Sequence, residues 1–206
     1  MSGPLTGVRI IEFAGLGPGP FCGMMLADHG AQVIRIARPR APELFDGFDR
    51  YDVLARSRSL LTIDMKADAG MAVVRDLCRS ADAIIEGYRP GVMERLGLGP
   101  DVLIADNPAL VYGRITGWGQ DGPLAHAAGH DINYLSIGGM LDQATPPVAP
   151  PVLISDLSSG LYAALAVVAA LTHRLKTGEG QYIDLSMTDC VLSWMAPEIA
   201  RADAEG

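Results

Sequence analysis

Short apolar runs alternate with segments of helical periodicity along most of the chain, and the runs predict buried strands. The predicted strands are Val8 to Phe13, Val33 to Ile36, Leu60 to Ile63, Ala83 to Ile85, Leu110 to Ile115 and Gln181 to Leu185. The predicted helices are Pro20 to His29, Asp68 to Ser80, a short one ending at Arg95, 101–107, and a long one after Asp156. Alternating strands and helices of this kind predict an α/β, Rossmann-like fold, with a mostly parallel sheet and helices on both faces.

The segment from Leu157 to Leu171 is strongly apolar, and its 15 residues fall short of the roughly 20 needed to span a bilayer. Asp156 precedes it and Lys176 follows it, which is the charge order that stabilises a helix dipole. We therefore predict a buried core helix and no contact with a membrane. Thr188 to Ile199 is expected to begin one further helix. On this basis residues 1–195 form one α/β domain and residues 196–206 a polar tail.

Charge is distributed unevenly along the 206 residues, whose formal net charge is −8. Residues 1–100 carry 12 basic and 12 acidic side chains, whereas residues 101–206 carry 4 basic and 12 acidic ones. An acidic protein lacks the excess of Lys and Arg that binds nucleic acid, so we exclude a nucleic-acid partner. The basic residues of the first half are almost all arginine, which suits phosphate and carboxylate groups. The charges therefore favour a localised anion site.

Three cysteines, Cys22, Cys78 and Cys190, are odd in number and widely spaced. This usage is typical of reduced thiols, so we expect a cytoplasmic protein without disulfides or a zinc knuckle. The N-terminal segment has no long apolar stretch that would predict a signal peptide.

A glycine-rich turn follows the first predicted strand and contains Gly15, Gly17, Gly19 and Gly23. Glycines at such a place let the backbone approach a phosphate. An NADP site with Arg38 on a phosphate, a merely tight strand-to-helix turn, and a site for another nucleotide-containing ligand are all consistent with it. Six arginines allow two interpretations: each taken singly is a solvated surface charge, or several near strand ends and turns bind a polyphosphorylated ligand, which would explain their crowding. They are Arg38, Arg40, Arg56, Arg58, Arg89 and Arg95.

Two further segments carry candidate chemistry. His126 and His130 are four residues apart, but they lie in a glycine-containing turn region with no third ligand indicated, so we expect no metal. His130 is either a proton-transfer base or a structural histidine. Asp156 is either the N-cap of the long helix or a carboxylate accessible to substrate. The chain contains neither G-x-S-x-G nor a Walker-type Gly-Lys-Ser/Thr, which counts against hydrolase and phosphate-transfer mechanisms.

Taken together, the sequence resembles the family III CoA-transferase (CaiB/BaiF) superfamily, and within it the α-methylacyl-CoA racemases. The matching blocks are GVRIIEFAGLGPGPFCGMMLADHGAQVIRIARP, RSRSLLTIDMK, IIEGYRPGVMERLGLGP, TGWGQDGPLAHAAGHDINY, SDLSSG and TGEGQYIDLSM. They occur in family order from residue 4 to about 195. The resemblance covers the N-terminal half of the family pattern, and the family's second small domain and C-terminal return segment have no counterpart in these residues.

The resemblance implies roles for individual residues. Coenzyme A phosphates and adenine would be held by residues matching Arg38, Lys66, Tyr88, Arg89 and Arg95, with backbone contacts at Ile63 and Gly87. Asp156 matches the nucleophile of the transferases, which in the racemases is an acid/base paired with the histidine at His130. Gly129 and Tyr134 would lie near the thioester. No metal, flavin or nicotinamide cofactor is implied.

An intact GHDINY segment favours a racemase, because transferases of the family generally lack this histidine. We therefore expect racemisation at the α-carbon of 2-methylacyl-CoA thioesters by His130 and Asp156. Two alternatives remain: a CoA-transferase with Asp156 as nucleophile, and a non-catalytic CoA-binding half that needs a partner chain. Family members form interlocked dimers, so the resemblance implies a homodimer or association with a partner chain.

Overall fold

The computed structural model describes residues 2–39 and 52–205. The strands in these residues are β1 (Arg9–Phe13), β2 (Gln32–Ala37), β3 (Ser59–Thr62), β4 (Ala83–Glu86), β5 (Val111–Thr116) and β6 (Gln181–Ser186). The helices are α1 (Pro18–Asp28), α2 (Asp68–Arg79), α3 (Val92–Arg95), α4 (Pro100–Asp106), α5 (Asp131–Ile137), α6 (Ile154–Thr177), α7 (Met187–Trp194) and α8 (Ala196–Glu205). Short 3-10 helices lie at Val53–Ala55 and Met140–Gln143.

The strands form one sheet in the order β3-β2-β1-β4-β5-β6, and every neighbouring pair is parallel. The strand order reverses between β1 and β4. In open α/β sheets the crevice at such a reversal, outside the carboxyl ends of the strands, is where ligands bind. The predicted α/β fold with a parallel sheet is confirmed.

Consecutive strand residues point into two separate cores, as expected for a sheet covered on both faces. Ile10 and Ile85 belong to the core formed with α1, α5, α6 and α7. Ile11 and Ile84 belong to the opposite core, formed with α2, α3 and α4. All four side chains are at most 1% exposed, which explains why the strands read as continuous apolar runs.

Helix α6 packs in the first of these cores through Ala163, Ala164 and Val167, so the predicted core helix is confirmed. It is 24 residues long, well beyond the expected apolar segment, because it starts before Asp156 and includes the polar residues at its end. By length and composition it could cross a membrane, and half of its most apolar window is buried within the fold.

The C-terminal part differs from expectation. The predicted single helix from Thr188 to Ile199 is two helices, α7 and α8, separated at Met195. Pro197 explains the break, since proline has no N–H to bond the carbonyl four residues back and its ring clashes there. The segment expected to be a polar tail is largely helix α8, in which Arg201 bonds Glu198 and Glu205 and no residue is buried.

Candidate active site

A cavity of about 650 Å³ opens at the carboxyl edge of the sheet, beside the point where the strand order reverses. Its walls come from the segments that follow β1, β4 and β5 and from the starts of α5 and α6. Site residues and turn glycines predicted from the sequence that line it are Gly15, Gly19, Gly87, Tyr88, Arg89, Gly129, His130, Tyr134 and Asp156. The cavity is of the size that small-molecule ligands occupy, and it brings both expected catalytic residues to one space.

Asp156 is half-buried in the first turn of α6, as its third helical residue. The N-cap is Leu153, so the interpretation of Asp156 as the cap is wrong. Burial raises the pKa of Asp156 to about 6; the charge of Asp131 adds to the rise, and His130 opposes it. A carboxyl group with this pKa exchanges its proton close to neutral pH, as a general acid or base must.

Asp131 replaces the missing cap of α6 from the neighbouring helix. Its Oδ1 accepts hydrogen bonds from the Ser155 backbone N–H at 2.7 Å, the Ser155 hydroxyl at 2.6 Å and the Asp156 N–H at 3.3 Å. Asp131, which directly follows His130, was not among the residues predicted to form the site. The sequence contains no signal for this role, because only the structure shows that α6 begins after Leu153, whose side chain leaves the first N–H groups in need of another acceptor.

His130 immediately precedes α5, and its side chain is exposed at the cavity. Its backbone N–H donates to Asn133 Oδ1 at 2.9 Å, which fixes the start of the helix. The turn predicted around His126 and His130 agrees with the structure, and the short helix α5, which begins at Asp131, was not predicted. His126 does not line the cavity. Within residues 2–39 and 52–205, no group of three or more His, Cys, Asp or Glu side chains is arranged to hold a metal ion.

The ring of Tyr134 is held between Trp118 and two glycines. It meets the Trp118 ring edge-on, with centroids 4.8 Å apart and an interplanar angle of 72°. A Cβ at Gly129 would lie 2.7 Å from Tyr134 Cε1, and one at Gly117 would also collide with this ring. Burial and the charge of Asp156 raise the pKa of Tyr134, so its phenol stays protonated and able to donate a hydrogen bond at the cavity.

Gly17, in the first glycine-rich turn, packs against the catalytic candidate Asp156. Its φ is +68°, and a Cβ built on it would lie 2.6 Å from Asp156 Oδ2. Gly15 and Gly19 line the cavity itself. The turn is therefore tight and borders the cavity.

Comparison with known proteins gives the family. The family model described as CoA-transferase family III matches residues 5–206. The chain belongs to CoA-transferase family III. Human α-methylacyl-CoA racemase is 44% identical over 192 residues, which are 90% of this chain and 48% of that protein. Succinate–glutarate CoA-transferase of Agrobacterium fabrum is 35% identical over 205 residues, 90% of this chain and 51% of that one.

Among solved structures, a CAIB/BAIF family protein from Brucella suis superimposes with a TM-score of 0.93 at 31% identity, covering 99% of this chain and 58% of that one. The chain spans about half the length of the curated relatives it matches. The family resemblance expected from the sequence is confirmed, and the relatives include both a racemase and a CoA-transferase.

The coenzyme A residues expected from the family pattern divide into two groups. Gly87, Tyr88 and Arg89 line the cavity. Four others lie outside its lining: Arg38, Ile63, Lys66 and Arg95. Arg38 is exposed just after β2, and its charge opposes the rise that burial causes in the pKa of Tyr88.

Two other arginines of the set bind carboxylates of the fold instead of facing the cavity of this family III chain. The Arg58 guanidinium is buried and donates to Glu12 Oε1 at 2.6 Å. Arg56 donates through Nε to Asp28 at 3.1 Å. A polyphosphorylated ligand therefore does not explain the presence of these two arginines, because each already has an anionic partner in the fold. Arg40 lies outside the described residues.

Proposed function

We propose that the cavity binds a 2-methylacyl-CoA thioester and exchanges its α-proton between two bases, inverting the α-carbon. The observation that carries the proposal is that His130 and Asp156 open on one cavity from the starts of two different helices. The proton affinity of Asp156, moved towards neutrality by burial, fits the same role.

The reaction needs no redox change. One base takes the α-proton, the C–H electron pair delocalises into the thioester carbonyl, and the protonated group on the other face delivers a proton to the same carbon. Donors near the thioester oxygen would stabilise the enolate-like charge. Tyr134 is a candidate donor, since its phenol remains protonated beside the two proposed bases.

The coenzyme A portion is proposed to lie along the carboxyl edge of the sheet. Gly87, Tyr88 and Arg89 border the cavity after β4. Arg38 follows β2, and Ile63 and Lys66 follow β3 at the same edge. Arg95 ends α3. Arginine groups at this edge would meet the phosphates.

The test is incorporation of solvent deuterium at the α-carbon of each epimer of a 2-methylacyl-CoA by the 206-residue chain. His130→Gln should abolish exchange of at least one epimer, since removing a positioned acid/base group costs about 10²- to 10⁴-fold. Asp156→Asn should do the same for the opposite epimer. His126→Gln is the matched control, because His126 does not line the cavity. Undiminished exchange of both epimers in His130→Gln would refute the assignment.

A CoA-transferase is the second candidate, supported by transferase relatives and by the access of Asp156 to the cavity. There the carboxylate would attack the thioester carbonyl and expel the CoA thiolate, which then attacks the resulting anhydride to give an aspartyl-CoA thioester and release the acid. Hydroxylamine would convert that thioester to an aspartyl hydroxamate at Asp156, detectable by peptide mass spectrometry. A racemase should yield none.

Association with a second copy or a partner chain stays a prediction. An apolar line along α6 supports it, formed by Leu157, Leu161 and Leu165, which are 37%, 46% and 63% exposed. Light scattering coupled to size-exclusion chromatography measures the mass. A monomer that binds coenzyme A without α-proton exchange would favour the non-catalytic CoA-binding alternative.

A further inference from the structure

Asp131 joins the two proposed bases, although it takes no part in the proton transfer described above. It is the first residue of α5, adjacent to His130, and its Oδ1 is bonded to the first turn of α6 beside Asp156. Asp131 is only 8% exposed, so its carboxylate is withdrawn from water and depends on these hydrogen-bond donors for stabilisation.

We propose that Asp131 is a positioning residue, which sets the spacing of His130 and Asp156 by capping α6 from the start of α5. The inference rests on the proposed function in that it takes these two side chains as the reacting groups. The bonds that carry it are those to the Ser155 N–H, the Ser155 hydroxyl and the Asp156 N–H.

The start of α6 needs this external acceptor. The first N–H groups of a helix have no partner within the helix, and the N-cap Leu153 has no side-chain oxygen to offer. A carboxylate at this end is also favoured by the helix dipole. Ser155 is completely buried, so water cannot replace Asp131 as the acceptor there. Without the carboxylate, the turn that carries Asp156 loses its fixed position relative to α5.

Asp131 acts on Asp156 through its charge as well as through its hydrogen bonds. The groups that face Asp156 are Asp131, whose charge raises its pKa, His130, which lowers it, and Tyr134, whose own pKa Asp156 raises. Arg89 acts on Tyr134 from the segment after β4. Asp131→Asn keeps an acceptor oxygen but removes the charge, whereas Asp131→Ala removes both. The two variants therefore separate capping from electrostatics.

The experiment measures amide hydrogen exchange by NMR in the ¹⁵N-labelled 206-residue chain, together with the pKa of Asp156 from its ¹³C carboxyl resonance. Asp131→Ala should speed exchange at the Ser155 and Asp156 amides by about tenfold or more, as expected for loss of a charged hydrogen bond. The amides of β5 should not change. Asp131→Asn should keep both amides within about threefold of wild type, since the acceptor remains, and should lower the pKa of Asp156. Ser136→Ala, which alters α5 away from α6, is the matched control.

Unchanged Ser155 and Asp156 amides in Asp131→Ala, or an equal increase across β5, would overturn the proposal. If Asp131→Ala does not fold, the wild-type chain decides: Ser155 and Asp156 amides that exchange as fast as in an unfolded chain would show that Asp131 does not cap α6. Neither readout uses an acyl-CoA. A wild-type chain that fails to exchange the α-proton therefore refutes the proposed function, while the positioning role stands or falls on the amide and carboxyl results.

Discussion

Glu86 and Asp156 are both carboxylates withdrawn from water, and they differ in what surrounds them. Glu86 is 1% exposed, and its Oε1 accepts a hydrogen bond from Arg114 Nε at 2.7 Å. Its other oxygen accepts from the Tyr88 N–H, also at 2.7 Å. Asp156, by contrast, forms no ion pair with any arginine or lysine in the described residues.

The difference distinguishes a carboxylate that stabilises the fold from the one proposed to react. Arg114 compensates the charge of Glu86, which then fixes the turn after β4 that places Tyr88 and Arg89 at the cavity. Asp156 has no such compensation, and burial moves its pKa towards neutrality. Burial raises the pKa of Glu86 as well, although Arg114 opposes the rise, so Asp156 is set apart by lining the cavity without a cationic ion-pair partner among the described residues. Perturbed carboxyl groups in a cavity are typical of functional sites.

Glu12, on the neighbouring strand β1, is a buried carboxylate whose charge is compensated by arginine, as that of Glu86 is. It is fully buried in β1 and paired with Arg58, with Arg35 3.6 Å away. A Cβ at Gly23 would collide with this carboxylate, so the glycine in α1 leaves room for the ion pair. Two arginines of the first half, Arg58 and Arg35, thus compensate a carboxylate of the core.

The largest expected loss of unfolding free energy comes from removing Arg114, which compensates the charge of Glu86. Arg114→Met leaves Glu86 buried without its main partner, and loss of one member of a buried ion pair costs about 3–5 kcal/mol of unfolding free energy. Urea unfolding at pH 7.5 measures it. Arg201→Met is the control, because Arg201 pairs only with exposed acids on α8, and it should cause no measurable change. An Arg114→Met variant as stable as wild type would show that Glu86 needs no compensation.

The fold was predictable because its signal is local. The run AIIE of β4 is buried on both sides, and such runs mark strands of a covered parallel sheet whatever lies far away in sequence. The break before α8 could also have been predicted, because the sequence contains Pro197 at that point. The missed elements were short: α5 and the two 3-10 helices contain few periodic positions from which to infer them.

The site was predictable only in part, because its contacts join distant positions. The family pattern indicated His130 and Asp156, yet the bond from Ser155 to Asp131 spans 24 residues and no spacing rule predicts it. The same holds for the partners of arginine: Arg58 and Arg89 look alike in sequence, but the first contacts Glu12, 46 residues away, and the second lines the cavity.

A smaller loss of unfolding free energy is expected when an added methyl group crowds the Asp156 carboxylate. In Gly17→Ala, the new Cβ would lie 2.6 Å from Asp156 Oδ2. Gly7→Ala is the matched control, since Gly7 also has positive φ, at +91°, but nothing within 4 Å. Both variants bear the cost of positive φ, which is about 1–2 kcal/mol in the left-handed helical region and larger at Gly17, whose ψ of −114° lies outside the regions allowed to L-residues. Gly17→Ala should lose a further 1–3 kcal/mol, roughly the cost of overpacking. Equal unfolding free energies for the two variants would mean that Asp156 moves aside freely.

The smallest expected change in unfolding free energy is a gain, because removing the uncompensated charge of Asp156 should stabilise the fold. The folded-state pKa of Asp156, about 6, lies above its ordinary value of 3.8, so the folded chain binds this proton more tightly than the unfolded chain. That contribution is complete below pH 3.8 and is lost as the pH rises through 6.

Asp156→Asn should therefore raise the unfolding free energy at pH 7.5 by about 1–2 kcal/mol, a figure reduced for solvent screening and for the favourable helix dipole. The gain should vanish near pH 4, where the wild-type carboxyl is protonated. Thermal unfolding at both pH values measures it, with the exposed Asp203→Asn as control. A variant less stable than wild type at pH 7.5 would mean that Asp156 is compensated after all, and the contrast with Glu86 would fail. Greater stability with lost α-proton exchange is the result expected of a carboxylate kept for proton transfer at the expense of the fold.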